Sequence, residues 1–124
     1  MFIVLSNMNS VLIVDDDQDI LDMVSLVLTT YDLEVACINN GAALFPAIVK
    51  NKPDLVLMDI YLGDADGREL CNTLKTSSQF GNIPVILYSA GHITSSSVKE
   101  SHADDFLTKP FDNLQLIKKI RSLI

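Results

Sequence analysis

Basic residues are scarce in this chain. Nine Lys and Arg stand against sixteen Asp and Glu, giving a formal net charge of -7 and a pI near 4.5. Phosphate backbones recruit Lys and Arg, so this segment is not expected to bind nucleic acid directly. The same imbalance suits metal cations or a basic partner surface. Long apolar runs are also lacking. None approaches the ~20 residues of a membrane helix, so no membrane association is expected. The opening MFIVLSNMNS has a four-residue apolar block with no basic residue before it, too short for a secretory signal. Cysteines number two, Cys37 and Cys71. Both lie in apolar segments and fit no metal spacing, so they read as reduced thiols in or near the core of a cytoplasmic protein. Repeats, low-complexity linkers and shifts of composition are missing too, which leaves one domain in 124 residues. A hydrophobic share of 48% excludes disorder.

What is present is an alternation. Val11–Val14 is a short apolar strand that runs into Asp15, Asp16 and Asp17. Ile20, Met23, Val24, Val27 and Leu28 recur at helical spacing after it. Leu33–Ile38 reads as a second strand. GAALFPAIVKN reads as a second helix, with Pro46 tolerated if it falls in the first turn. Leu55–Met58 is an uninterrupted apolar run ending at Asp59, the pattern of a strand buried on both faces. Arg68–Lys75 is a third helix and Ile83–Tyr88 a fourth strand, ending at Ser89. HITSSSVKESH is rich in Ser and Thr, which compete with the backbone for hydrogen bonds, so a short or irregular fourth helix is expected. Asp105–Thr108 is a fifth strand. The tail closes with a helix that places Leu114, Ile117, Ile120, Leu123 and Ile124 on one face and Lys118, Lys119 and Arg121 on the other. Residues 1–10 read as an N-terminal extension and 11–124 as the domain. Five strand–helix alternations imply a three-layer α/β fold, a parallel sheet with helices on both faces.

Parallel strands bring all their carboxyl ends to one edge, where such sheets bind ligands. Asp59 alone could simply open a loop or cap a helix. Set beside Asp15, Asp16, Ser89 and Lys109, it belongs to a constellation. Clustered acids raise one another's pKa unless a cation intervenes. Mg²⁺ answers this, taking one or two carboxylates plus phosphate oxygens. With a lysine for an anion and a hydroxyl as donor, the free carboxylate is suited to accept a phosphoryl group.

VLIVDDD, PDLVLMDIYLGDADG, VILYSA and DDFLTKPF, in this order, resemble the corresponding segments of receiver domains of two-component response regulators, the CheY-like family. The resemblance covers the chain from Val11 onward. It implies a flavodoxin-like strand order 2-1-3-4-5. It implies Asp59 as phosphoryl acceptor, charged by a sensor histidine kinase or a histidine phosphotransfer protein. It matches Asp15 and Asp16 to the acidic pair that holds Mg²⁺, with Asp16 the more direct ligand, and the backbone carbonyl of Tyr61 to the third protein ligand. Ser89 matches the switch hydroxyl, Lys109 the phosphate-pairing lysine, and the peptide into Pro110 one that is commonly cis. Phe106 matches the aromatic that turns inward, although a static core aromatic reads equally well there. The implied protein is a bacterial, cytoplasmic regulator and not an enzyme in its own right. Its output would pass to a downstream protein or to an output domain outside this segment, with phosphorylation-dependent homodimerisation as one form.

Departures from the family are local. Gly63 stands where proline is frequent, which predicts a looser loop. Ser101-His102 replaces the usual Ala-Gly, and the interval from Ser89 to Lys109 is about two residues short, both of which bear on the fourth helix. Tyr61 and Gly91 lie two residues after the acceptor and the hydroxyl, where side chains can gate water. Two other readings compete. A phosphatase of the haloacid dehalogenase type would need a second Asp at position 61, which is Tyr. An inert interaction module would not need the intact acids and lysine.

Overall fold

The apolar runs and amphipathic segments resolve into ten elements in a computed structural model that describes residues 9–91 and 94–124. They are β1 (Ser10–Val14), α1 (Gln18–Thr30), β2 (Glu34–Ile38), α2 (Leu44–Asn51), β3 (Leu55–Asp59), α3 (Gly67–Lys75), β4 (Val85–Ser89), α4 (Ser95–Ser101), β5 (Asp105–Thr108) and α5 (Asn113–Leu123). All strand pairings are parallel, and the sheet runs β2-β1-β3-β4-β5, the flavodoxin-like order expected. Of the N-terminal extension, residues 1–8 lie outside the described residues, as do His92 and Ile93 at the start of the expected fourth helix.

The pleat divides the core in two. Val11, Ile13, Leu55, Leu57, Ile86 and Tyr88 face one way and pack with Leu21, Val24 and Leu28 of α1 and Leu116, Ile117 and Ile120 of α5. Leu12, Val14, Val56, Met58, Val85 and Leu87 face the other way and pack with Leu44, Ala47 and Ile48 of α2 and Cys71 and Leu74 of α3. This period of two is why the central strands read as continuous apolar runs: every second residue enters a different hydrophobic layer.

Helix phases are set by their caps. Asp17 accepts from the amide of Asp19 and Asp112 from that of Leu114. The phase so fixed turns Leu21 inward, where Met23 was expected, and leaves Met23 47% exposed. In α5 it buries Leu116 and turns Leu114 out at 55% exposure, contrary to the face read from the sequence. Pro46 lies within the first turn of α2, where its missing N–H costs no helical hydrogen bond. The fourth strand starts at Val85, two residues later than expected, with Pro84 before it offering only a carbonyl, to the amide of Val56. Both cysteines are free. Cys71 is buried, and burial pushes its thiol up to about 12. Cys37 is exposed and not in the core, because β2 is an edge strand. Among the described residues, no helix is long and apolar enough to cross a membrane.

Candidate functional site

Because every strand runs the same way, one edge of the sheet collects all five carboxyl ends. β1 leads into Asp15 and Asp16, β3 ends in Asp59, β4 ends in Ser89, and β5 leads into Lys109. Register places Asp59 beside Tyr88 and Ser89 beside Thr108. The amide of Lys109 donates to the Ser89 carbonyl at 2.8 Å, tying the two strand ends together. The Lys109–Pro110 peptide is cis, as the resemblance implied.

Asp15 is fully buried, Asp59 is nearly so, and Asp16 is exposed. One carboxylate oxygen from each lies within 4.8 Å of the other two. The Lys109 ammonium sits 3.3 Å from Asp15 Oδ2 and 3.4 Å from Asp59 Oδ2, so one cation is shared between two buried acids. Burial, more than any other influence, pushes the Asp59 carboxyl above the usual range, and the charge of Asp15 adds to this. The amide of Tyr61, donating to Asp59 Oδ1 at 3.2 Å, and the Lys109 ammonium oppose the rise.

Asp15 is the more fully engaged acid. Its Oδ1 accepts from the amide of Asp17 at 2.9 Å, and its Oδ2 accepts from the Tyr88 hydroxyl at 2.7 Å. The Tyr88 hydroxyl is pushed far up, first by burial and then by Asp15, so it remains a donor. The Tyr88 ring lies 4.8 Å from the Lys109 ammonium and meets Phe111 edge-on at 5.8 Å between centroids. Sequence reasoning passed over Tyr88. The signal was there: a buried tyrosine must find a partner for its hydroxyl, and this one stands next to last in a wholly buried strand.

The loop leaving β3 is held closely, against the expectation of looseness. Tyr61 and Asp66 form an antiparallel bridge. Gly63 takes φ +68°, a conformation proline cannot reach, and a Cβ there would stand 3.3 Å from Asp16 Oδ2. At Gly67 a Cβ would collide with the Asp59 carbonyl, so only glycine lets α3 start so close to the acid. Asp66 caps α3 by accepting from the amide of Arg68 at 2.8 Å. Asp64 reaches beyond its own turn. It accepts from the amides of Gly41 and Ala42 and fastens this loop to the turn before α2.

Ser89 is buried, and its hydroxyl accepts from the amide of Gly91 at 3.0 Å. The Tyr61 side chain, half-exposed, lies against Gly91 at the mouth of the site. Phe106 is half-buried against the apolar layer shared with α2 and α3. His102 is exposed at the end of α4, away from the acids.

Three carboxylates against one ammonium leave the cluster with excess negative charge. All three acids offer hard oxygen ligands and no sulfur or imidazole stands among them, so the donor set fits Mg²⁺.

Comparison with known proteins agrees with this geometry. A family model described as the response regulator receiver domain matches residues 11–121. The transcriptional regulatory protein GltR of Pseudomonas aeruginosa is 31% identical over 121 residues, covering 96% of this chain and 50% of that protein. The DNA-binding response regulator MtrA of Mycobacterium tuberculosis is 32% identical over 114 residues, covering 90% of this chain and 49% of that protein. The chain thus spans about half the length of these relatives. Among solved structures, the chemotaxis response regulator CheY4 of Vibrio cholerae superposes with a TM-score of 0.86 at 25% identity, covering 95% of this chain and 100% of that one. The BeF3-activated N-terminal receiver domain of Klebsiella pneumoniae RstA gives 0.83 at 28% identity, covering 92% and 97%.

Proposed function

We propose that this chain, which belongs to the family of response regulator receiver domains of two-component systems, accepts a phosphoryl group on Asp59 in a Mg²⁺-dependent reaction and thereby switches a partner-binding surface. The observation that carries the reading is the sharing of Lys109 between buried Asp15 and Asp59, with Asp16 at hand. An Asp59 oxygen attacks phosphorus, the bond from phosphorus to the imidazole nitrogen of a phosphohistidine donor breaks, and the imidazole leaves with the electron pair. The donor is a sensor histidine kinase or a histidine phosphotransfer protein. Asp16, Asp15, Asp59 and the backbone carbonyl of Tyr61 would hold Mg²⁺, which supplies charge neutralisation for the approaching phosphoryl oxygens. Lys109 exchanges its contact with Asp59 Oδ2 for a phosphoryl oxygen. Ser89 gives up its bond from the Gly91 amide to donate to the phosphoryl group, and Phe106 follows it inward. New charge at this edge thus shifts an equilibrium between two arrangements of β4, α4 and β5.

The domain is regulatory: it promotes only its own phosphorylation and dephosphorylation. Its working limits are residues 11–124, preceded by an extension over 1–10, and its setting is the cytoplasm of a bacterium. An apolar hollow of about 570 Å³ beside Lys109, lined by Ile20, Met23, Pro110 and Phe111 among others, offers a partner protein a docking place next to the acceptor. Output passes to a downstream protein, to an output domain beyond this segment, or to a phosphorylation-dependent homodimer. The acidic charge weighs against direct nucleic-acid binding by the segment itself. Incubation with Mg²⁺ and acetyl phosphate should add the mass of one phosphoryl group. The gain should vanish in Asp59→Asn and on removal of Mg²⁺ by chelation. A gain that survives Asp59→Asn, or no gain in the wild type, refutes the assignment.

A further inference from the structure

We propose that Tyr88 is a positioning residue of this site, its hydroxyl fixing Asp15 and its ring seating Lys109, so that one buried side chain keeps the acid pair and the lysine apart at working distance. The inference rests on the receiver reading of the acid cluster. Its basis is a set of contacts that converge on one residue. The hydroxyl donates to Asp15 Oδ2 at 2.7 Å, the ring face lies 4.8 Å from Lys109 Nζ, and Phe111 supports the ring edge-on. Tyr88 and Asp15 are both fully buried, so neither can replace these partners with water.

The hydroxyl decides where the lysine goes. Asp15 Oδ2 has two donors, Tyr88 and Lys109, while Lys109 stands almost midway between Asp15 and Asp59 at 3.3 and 3.4 Å. Remove the hydroxyl and that buried oxygen keeps Lys109 as its remaining donor. The ammonium is then drawn onto Asp15 and away from Asp59. An arriving Mg²⁺ must displace that tighter ion pair, and the phosphoryl oxygens lose part of their cation. The ring acts separately. Its face attracts the ammonium with or without the hydroxyl. Groups that orient ligands from behind in this way cost roughly 10–100-fold in metal affinity when removed.

The experiment compares wild type, Tyr88→Phe and Tyr88→Leu, with Tyr31→Phe as control. Mg²⁺ dissociation constants are measured by calorimetry, beryllofluoride binding at saturating Mg²⁺ by NMR, and folding by thermal unfolding. Tyr88→Phe should weaken Mg²⁺ binding roughly tenfold, with beryllofluoride binding largely restored at saturating Mg²⁺. Tyr88→Leu should weaken both. Tyr31→Phe should change neither. A folded Tyr88→Phe protein that binds Mg²⁺ within about twofold of wild type overturns the role of Tyr88 while leaving the receiver chemistry intact. Wild type that takes up no Mg²⁺ overturns the receiver chemistry and this inference with it. Should Tyr88→Phe not fold, wild type decides. The chain has no tryptophan and three tyrosines, so the Tyr88 ring resonances are readily followed. They should move with Mg²⁺ along the calorimetric curve, and a static ring overturns the proposal.

Discussion

Helices α1 and α4 pack near the same sheet, yet they are built from different material. α1 runs 13 residues, is capped by Asp17 and buries Leu21, Val24 and Leu28. α4 runs 7 residues, SSSVKES, and the residue it buries is Ser101. Val98 is its single large apolar side chain and is only partly covered. The two helices serve different ends of the proposed chemistry. α1 follows directly from Asp15 and Asp16, so its firmness fixes two acids. α4 follows Ser89, whose movement is the proposed switch. A site that must bind an ion in one geometry and then move one of its walls gains from this asymmetry.

Hydrogen exchange gives the largest contrast. Amides of Val98–Ser101 should exchange at least ~10³ times faster than those of Leu12 and Val56, because local opening of α4 exposes little apolar surface while β1 and β3 open only globally. Beryllofluoride with Mg²⁺ should slow α4 and leave β1 unchanged. Equal protection of α4 and the central strands would erase the distinction between the two helices.

Truncation is the next test. Leu28 is fully buried in the layer between α1, α5 and the sheet. Leu28→Ala should cost about 2–5 kcal/mol by urea unfolding, whereas Val98→Ala should cost less than about 1 kcal/mol. Comparable losses would mean that α4 carries more of the fold than its composition allows.

The difference between these helices also separates what the sequence disclosed from what it did not. The parallel sheet and the meeting of Asp15, Asp16, Asp59, Ser89 and Lys109 at one edge follow from apolar runs and parallel connectivity and were readable, whereas the strand order came only from the resemblance to receiver domains. Helix faces were read less well. Met23 and Leu114 were assigned inward because hydrophobic spacing fixes a period but not a phase, and the caps at Asp17 and Asp112 set the phase. Tyr88 was hidden inside an apolar run, since a pattern of hydrophobic residues says nothing about where a hydroxyl points. The reach of Asp64 to Gly41 and Ala42 crosses between two loops, a distance no local motif encodes.

A smaller effect lies in the firm half of the site. Burial raises the folded-state pKa of Asp59, so the folded protein holds that proton more tightly than the unfolded chain does. The stability it confers is complete below the ordinary carboxylate value of about 4 and is lost as pH rises through the higher folded-state value. Near pH 7 and without metal, Asp59 is therefore a destabilising charge. Asp59→Asn should raise stability there by about 1–2 kcal/mol, and the gain should shrink when Mg²⁺ is added to both proteins. Asp64 and Asp66 act with the opposite sign. Backbone amides hold Asp64 low, and Arg68 holds Asp66 low, so their contributions fade as pH falls through those lowered values. Both proteins share them, so the difference in unfolding between pH 4 and 8 isolates Asp59. An Asn variant less stable than wild type without metal would mean that the Lys109 contact outweighs the cost of burial.

The smallest effect falls on α4 and is the most direct way to alter the contrast. His102 ends this helix at φ +62°, and its amide donates to the carbonyl of Lys99. A side chain in that left-handed conformation is strained, and glycine is its ordinary occupant at such a helix end. His102→Gly should stabilise the protein by roughly 0.5–1 kcal/mol, less than the strain removed because glycine also loosens the unfolded chain. The gain should concentrate in α4: its amides should exchange several-fold more slowly while those of α1 stay as they were. If the shift of β4, α4 and β5 depends on α4 being weakly held, the same substitution should also blunt the change in exchange on beryllofluoride binding. A stiffer α4 with an undiminished response would place the moving wall at β5 and Phe106 instead.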